Sequence, residues 1–317
     1  MPASPFALPV QLLLANVRRA GFPPLHTQGV ATARAAYAAG VGAMALPPAP
    51  VARVHAFEMP LPGGPRPARL WSDRPGLVDQ AVLLYFHGGG FVLGGLATCE
   101  ALCQNLARAS GAAVVAVDYR KCPEHPLAAC LDDAWDALQW LSAQGHTLGL
   151  DGRRLAVAGD SAGGLLAATT ALMARDAGLP LALQGLFYPT VQTRMATASW
   201  QAYGDTTLLD RQLMAWFDRH CANPQLREAW HREPLFAPRH DGVAPAWIGL
   251  AECDILSSEG HAYADTLRAA GVPVTVQEWP GMIHDFINMG RFLPAAGEAH
   301  AALAQAVGHA LGTIPAP

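Results

Sequence analysis

The chain has 317 residues, 51% of them hydrophobic and 15% charged, with a formal net charge of −4. That is enough apolar side chain for one large domain or a core plus a smaller part, and it excludes a disordered chain. No basic run accompanies the small acidic surplus, which argues against nucleic acid or anionic membrane as the main partner. From the N-terminus, MPASPFALPVQLLLANVRRAG lacks the basic start of a secretion signal, and its apolar part is too short and interrupted for a span, so no stable membrane insertion is expected. Instead it reads as an amphipathic helix over 8–20, ended by Gly21 and Pro23, with a second helix near 28–45 before LPPAP. VARVHAF and RPARLW, joined by PLPGGP, read as an antiparallel edge hairpin. From AVLLYF onward strand-like and helix-like runs alternate, through AAVVAVDYR, RRLAVAGD, LALQGLFYP, APAWIGLAECD and VPVTVQEW to a final helix near 294–311. Continuous apolar strands separated by helices predict an α/β fold, a mostly parallel sheet with helices on both faces. Residues 190–238 break the alternation; their aromatic and aliphatic side chains read either as an extra helical layer or as a lid over a pocket.

Two residue types narrow the chemistry. The six cysteines form no C-x-x-C pair and read as buried thiols in a reduced, cytoplasmic protein, with no metal site. Lys121 is the single lysine and lies in DYRKCPEHP, outside any glycine-rich loop. A Walker A phosphate site and a pyridoxal phosphate Schiff base therefore both fit poorly.

The segment LAVAGDSAGGL runs from a buried strand through a tight corner into a helix, and its Gly159-Asp160-Ser161-Ala162-Gly163 matches G-x-S-x-G in the setting that motif requires. Small neighbours let strand and helix approach, and the Ala162 amide falls at the positive end of the helix. A serine hydroxyl needs a base, and the base needs a carboxylate to fix its tautomer. The chain order for this fold is serine, acid, histidine. Asp254 follows the strand AWIGLAEC and His284 follows VTVQEW; Glu252 ranks second as the acid, and Asp285 adjoins the histidine. His87-Gly88-Gly89-Gly90-Phe91, after AVLLYF, offers backbone amides with no side chains to block them.

With HGGGF, GDSAGG, DYR-x-x-PEHP, D-I-L and G-x-x-HDF in order, the chain resembles the hormone-sensitive lipase-like carboxylesterases, bacterial family IV type, of the α/β-hydrolase fold. The resemblance implies an eight-stranded sheet, N-terminal cap helices over 1–48, and a catalytic domain over 49–317 with a cap insertion at about 190–238. It implies Ser161 as nucleophile, His284 as base then acid, Asp254 as its carboxylate, and an oxyanion hole from the amides of Gly89, Gly90 and Ala162. His87, Asp118, Tyr119, Arg120, Glu124 and His125 match family positions that support the loops. The implied substrate is a small-molecule ester of short to medium acyl chain, with no cofactor; Trp200, Trp216 and Phe217 are the candidates to close the pocket to long chains. A homodimer through an edge strand is among the states the resemblance raises. Two other readings stay open: an amide- or formamide-hydrolysing enzyme with the same residues, and a non-catalytic small-molecule-binding relative.

Overall fold

The computed structural model describes residues 4–76, 78–194, 196–222 and 225–315. Helices α1 (Leu8–Ala20) and α2 (Val30–Met44) precede the sheet. β1 (Arg53–Met59) and β2 (Arg66–Ser72) pair antiparallel across a turn closed by the Gly64 amide on the Leu61 carbonyl at 2.9 Å, the hairpin expected from PLPGGP. After β3 (Gln80–Phe86) come α3 (Leu96–Ser110), β4 (Ala113–Val117), α4 (Leu127–Gln144), β5 (Leu150–Asp160), α5 (Ala162–Asp176) and β6 (Gln184–Phe187). α6 (Ala198–Tyr203) and α7 (Arg211–His220) occupy the stretch that breaks the alternation. β7 (Ala246–Ala251), α8 (Ser257–Ala269), β8 (Val274–Trp279) and α9 (Ala295–Ala310) follow.

The strands form one eight-stranded sheet in the order β1-β2-β4-β3-β5-β6-β7-β8. β2 is antiparallel to β4, and every pairing from β4–β3 across to β7–β8 is parallel. Every residue of β3 and β4 is buried, as an apolar run covered on both faces requires. Side chains alternate between the faces. Leu83 and Tyr85, Val114 and Ala116, and Ala156 and Ala158 join the core beneath α3 and α9. Val82, Leu84 and Phe86, Val115 and Val117, and Val157 join the core beneath α4, α5 and α8. Each fully buried Leu, Val or Phe contributes roughly 1.5–3 kcal/mol, so the strand ends that carry the site rest on the most strongly buried part of the chain.

The two helices between β6 and β7 are short and individually capped. Thr197 Oγ1 accepts the Trp200 amide at 3.2 Å, and Asp210 Oδ1 accepts the Leu213 amide at 2.7 Å. α7 buries Leu213 and Trp216. Among the described residues no helix is long and apolar enough to cross a membrane.

Candidate active site

Ser161 stands between β5 and α5 at φ 56°, ψ −118°, a conformation that costs an L-residue of order 1–3 kcal/mol. Three backbone hydrogen bonds hold it there: Ser161 N to the Phe187 carbonyl at 2.9 Å, and the amides of Leu165 and Thr190 to the Ser161 carbonyl at 3.1 and 3.2 Å. The glycines are needed for close approach. A Cβ on Gly159 would collide with the Gly163 carbonyl, and one on Gly163 with the carbonyls of Phe86 and His87. α5 can therefore start hard against the end of β3.

The structure brings together the three side chains expected from the sequence. Ser161 Oγ lies 2.9 Å from His284 Nε2, and His284 Nδ1 lies 2.6 Å from Asp254 Oδ2. β5, β7 and β8 deliver them at their carboxyl ends, where an open parallel sheet gathers its ligands. Asp254 has no exposed surface, and its Oδ1 accepts the Leu256 amide at 3.0 Å. Burial depresses the His284 pKa, but the carboxylates around it, Asp254 foremost with Asp285 and Asp160, outweigh it, and the net shift is upward. With Nδ1–H donated to Asp254, Nε2 is left to accept from the serine hydroxyl. Glu252, the second-ranked acid, accepts the Gly281 amide at 2.7 Å and so braces the turn before His284. Asp285, at φ 67°, accepts from Asn288 Nδ2 at 2.6 Å and from Tyr37 OH at 3.3 Å. Burial and the charge of Asp160 push its carboxyl up to about 6.

On the other side of the serine, β3 ends in the glycine loop. The Gly88 amide is spent on Asp160 Oδ1 at 3.0 Å, which also accepts Tyr85 OH at 2.6 Å. By contrast, the amides of Gly89, Gly90 and Ala162 take part in none of the loop or cap backbone hydrogen bonds among the described residues. Gly89 and Gly90 have φ of 114° and 60°, and a side chain on Gly90 would strike the Phe217 ring. The HGGG backbone is braced from below. The His87 ring stacks on Tyr119 at 4.4 Å, His87 Nδ1 donates to the Gly88 carbonyl at 2.8 Å, and Tyr119 OH donates to the His87 carbonyl at 2.7 Å. Although Asp118 is partly buried, His87 and Lys121 hold its carboxyl down at about 2. Arg120 grips buried Asp133 through Nη2 at 2.7 Å and Nε at 3.0 Å.

A cavity of about 50 Å³ opens beside Ser161. Gly90, Leu165, Trp200, Leu209, Met214 and Phe217 form its apolar wall, and Arg232 and Glu259 stand on its polar side. Two of the three candidate closing aromatics, Trp200 and Phe217, reach it. Trp216 does not: it is buried inside the helical insertion, packed on Phe217 and on the His220 ring at 5.5 and 4.2 Å. Helical geometry explains the correction, because adjacent residues on α7 point about 100° apart.

Three site residues escaped the sequence reading. Arg34 on α2 reaches across to donate to the Val92 carbonyl at 2.7 Å and the Cys122 carbonyl at 3.0 Å, clamping the segment after the glycine loop, and pairs with Glu124 at 2.7 Å. No local pattern marks it. Asp160 was visible inside GDSAGG, where an acid flanked by small apolar residues already signals a carboxyl with a job. Glu259 sits in the first turn of α8, five residues beyond Asp254. The six cysteines are all free, and among the described residues no cluster of His, Cys, Asp and Glu is placed to hold a metal ion.

A family model of the α/β-hydrolase fold matches residues 83–288. The chain is 42% identical to the carboxylesterase NlhH of Mycobacterium tuberculosis over 228 residues, 69% of this chain and 70% of the relative. It is 41% identical to the ethyl acetate hydrolase of Pseudomonas putida over 239 residues, 73% and 74% of the two chains. Among solved structures, an ester hydrolase from the metagenome of Lake Arreo superposes with a TM-score of 0.91 at 33% identity, covering 97% of this chain and 99% of the other. A thermostable esterase from Pseudomonas putida superposes with a TM-score of 0.90 at 31% identity over the full length of both. With these matches and with its parallel sheet, the chain belongs to the α/β-hydrolase fold family, in its hormone-sensitive lipase-like branch, and is a carboxylesterase.

Proposed function

We propose that the enzyme hydrolyses esters of short acyl chains by two-step acyl transfer on Ser161. His284 takes the hydroxyl proton as Oγ attacks the ester carbonyl, and the Asp254 carboxylate steadies the imidazolium that forms. The amides of Gly89, Gly90 and Ala162 receive the developing oxyanion; each such donor typically contributes about 3–4 kcal/mol to the transition state. His284 then protonates the departing alcohol, and water activated by the same nitrogen releases the acid. The observation that carries this reading is the Oγ···Nε2 and Nδ1···Oδ2 relay at 2.9 and 2.6 Å.

The size of the cavity supports the short acyl group. At about 50 Å³ it is small, and Trp200 and Phe217 close its wall beside Ser161. Residues 1–48 and 190–238 act as the cap in this reading: α2 clamps the loop through Arg34, and α7 presses Phe217 on Gly90. The relative that hydrolyses ethyl acetate, by its name, points to the same size class.

An organophosphonate probe tests the mechanism. Mass spectrometry should find it on Ser161, and Ser161→Ala should remove both the adduct and turnover. Labelling elsewhere, or full turnover by Ser161→Ala, would refute the assignment. A butyryl ester should be turned over faster than a palmitoyl ester in a solubilised assay, and the reverse order would refute the size limit.

A further inference from the structure

The segment that follows β6 fastens every second residue and leaves the others open. Val191 is fully buried; its amide donates to Glu259 Oε1 at 2.8 Å, and its carbonyl accepts the Leu235 amide at 3.2 Å. Thr193 donates to Glu233 Oε1 through both its amide and its hydroxyl, at 3.0 and 2.6 Å. Thr190, Gln192 and Arg194, the residues between and beside these anchors, all line the cavity next to Ser161. Among the described residues their side chains have no hydrogen-bond or ion-pair partner. Side chains two apart in extended chain share a face, so fastening Val191 and Thr193 presents the other three to the cavity as one polar strip.

The strip has an inner end and an outer end. The inner end is tied to the nucleophile, because the Thr190 amide donates to the Ser161 carbonyl at 3.2 Å. The outer end is Arg194, exposed to solvent, with its guanidinium carbon 4.6 Å from the centre of the Phe236 ring. Four residues of extended chain span at most about 13 Å, which sets the scale of what joins the two ends as a chain of a few carbons. Lying on an aromatic face orients a guanidinium but leaves its charge uncancelled. The other charges on the cavity wall are accounted for. Arg232 is paired with Asp218 at 2.5 Å. Glu259 is held by the amides of Val191 and Gln192, and burial pushes its carboxyl up to about 8, so at neutral pH it offers Arg194 little negative charge. Arg194 is thus the charge on this wall that lacks a counterion among the described residues.

We infer that Arg194 is a specificity-determining residue for an anionic group on the substrate, so that the enzyme prefers esters carrying a carboxylate a few carbons from the scissile bond, monoesters of short dicarboxylic acids being the simplest, over neutral esters of the same size. The ester carbonyl sits at Ser161, the connecting carbons run past Thr190 and Gln192, and the carboxylate meets the guanidinium, whose planar fork matches it. An ammonium in the same place would face a like charge. The inference rests on the esterase reading above and adds the substrate class to it.

The experiment measures kcat/KM by pH-stat at pH 7 on charged and neutral isosteres. Ethyl hydrogen succinate is set against ethyl succinamate, the glutarate pair repeats this one methylene longer, and carboxymethyl butyrate against carbamoylmethyl butyrate puts the charge on the alcohol side. The acid-to-amide ratio is the readout, so a general loss of activity cancels when variants are compared. In wild type the ratio should exceed one by about threefold to fivefold in at least one pair, chiefly through KM, as a partly exposed ion pair allows. Arg194→Gln should bring it to one or below, Arg194→Lys should keep part of it, and Arg194→Glu should invert it. Arg153→Gln, toward the opposite end of β5 and 89% exposed, should leave it unchanged. Salt gives a reading that needs no variant: raising sodium chloride from about 10 mM to about 1 M cuts the Debye length from about 30 Å to about 3 Å and should draw the wild-type ratio toward one. Ratios of one or below in all three pairs, or a wild-type preference that Arg194→Gln or salt leaves intact, would overturn the inference. Absence of turnover on every ester, with no phosphonate adduct on Ser161, would instead strike the esterase mechanism itself.

Discussion

Replacing Asp254 by asparagine changes one atom and removes one charge, and the structure sets the size of the effect. Both carboxylate oxygens are engaged as acceptors in a site without exposed surface: Oδ2 faces His284 Nδ1 at 2.6 Å, and Oδ1 takes the Leu256 amide at 3.0 Å. An amide cannot serve both. If its oxygen stays on Leu256, its NH2 faces Nδ1, the imidazole proton moves to Nε2, and that nitrogen can no longer take the serine proton. If it flips, two buried donors confront each other. The charge is lost as well. At an effective dielectric of about 20, a carboxylate about 4 Å from the imidazolium charge contributes roughly 4 kcal/mol, or about three decades in rate. With the tautomer defect added, kcat should fall by about 10³–10⁴. The pH profile should move too. The net pKa of His284 is raised, and the working base must be neutral, so wild-type activity is lost as pH falls through that raised value. Without the carboxylate burial weighs more, and the acid limb should shift to lower pH. Steady-state hydrolysis of a butyryl ester between pH 4 and 9 reads both effects, with circular dichroism to confirm the fold. A folded Asp254→Asn variant within tenfold of wild-type kcat, or with its acid limb unmoved, would refute the reasoning.

Gly90→Ala should cost at least 10² in kcat, because φ near 60° suits an L-residue poorly, the new Cβ meets the Phe217 ring, and an oxyanion donor is displaced. Adding Phe217→Ala should recover part of the loss; an active single variant, measured on the same ester, would contradict the packing argument. Tyr188→Phe should leave the melting temperature unchanged or raise it by about 1–2 °C, since the hydroxyl removed is buried without a partner among the described residues, although its ring lies 4.6 Å from that of His284. A clear drop by calorimetry would show that the hydroxyl is satisfied after all. Arg34→Ala should lower kcat by about tenfold with short esters of any alcohol, through loss of its bonds to the Val92 and Cys122 carbonyls. An unchanged kcat would mean that the loop after the glycines holds its shape unaided.

The sheet was legible because its strands announce themselves one at a time. AVLLYF and LAVAG are short apolar runs bounded by glycine, and the hairpin turn PLPGGP is local. Strand order was not legible: nothing in AAVVAV says that β4 lies between β2 and β3. The serine corner could be read because strand, glycines and helix are contiguous. Asp254 and His284 could be read from chain order and post-strand position, even though 93 and 123 residues separate them from the serine. Contacts made across the fold left no such trace. Arg34 reaches carbonyls 58 and 88 residues away, and Phe217 lands on Gly90 from a helix whose spacing looked irregular. The same irregularity put Trp216 and Phe217 together as closing residues, although neighbours on a helix cannot share one face.

Asp160 explains why the lone hydroxyl sits on so strained a corner. Its backbone immediately precedes Ser161, while its buried carboxyl holds the Gly88 amide and the Tyr85 hydroxyl of the neighbouring strand. One residue thus sets both where the serine stands and where the glycine loop begins. Burial pushes its carboxyl pKa up while Tyr85 and Gly88 pull it down, so removing either partner would leave a poorly solvated group beside the nucleophile. Hydroxyl and amides are therefore spaced by the ends of β3 and β5, in the most deeply buried part of the sheet. The insertion touches that frame through Phe217 and the cavity wall, and Glu259 through the loop after β6. Changes around residues 87–91 and 160–163 should consequently appear in kcat for every ester. Changes at Trp200 or Phe217 should appear chiefly in which ester is preferred, because they alter what fits without moving where the bond is broken.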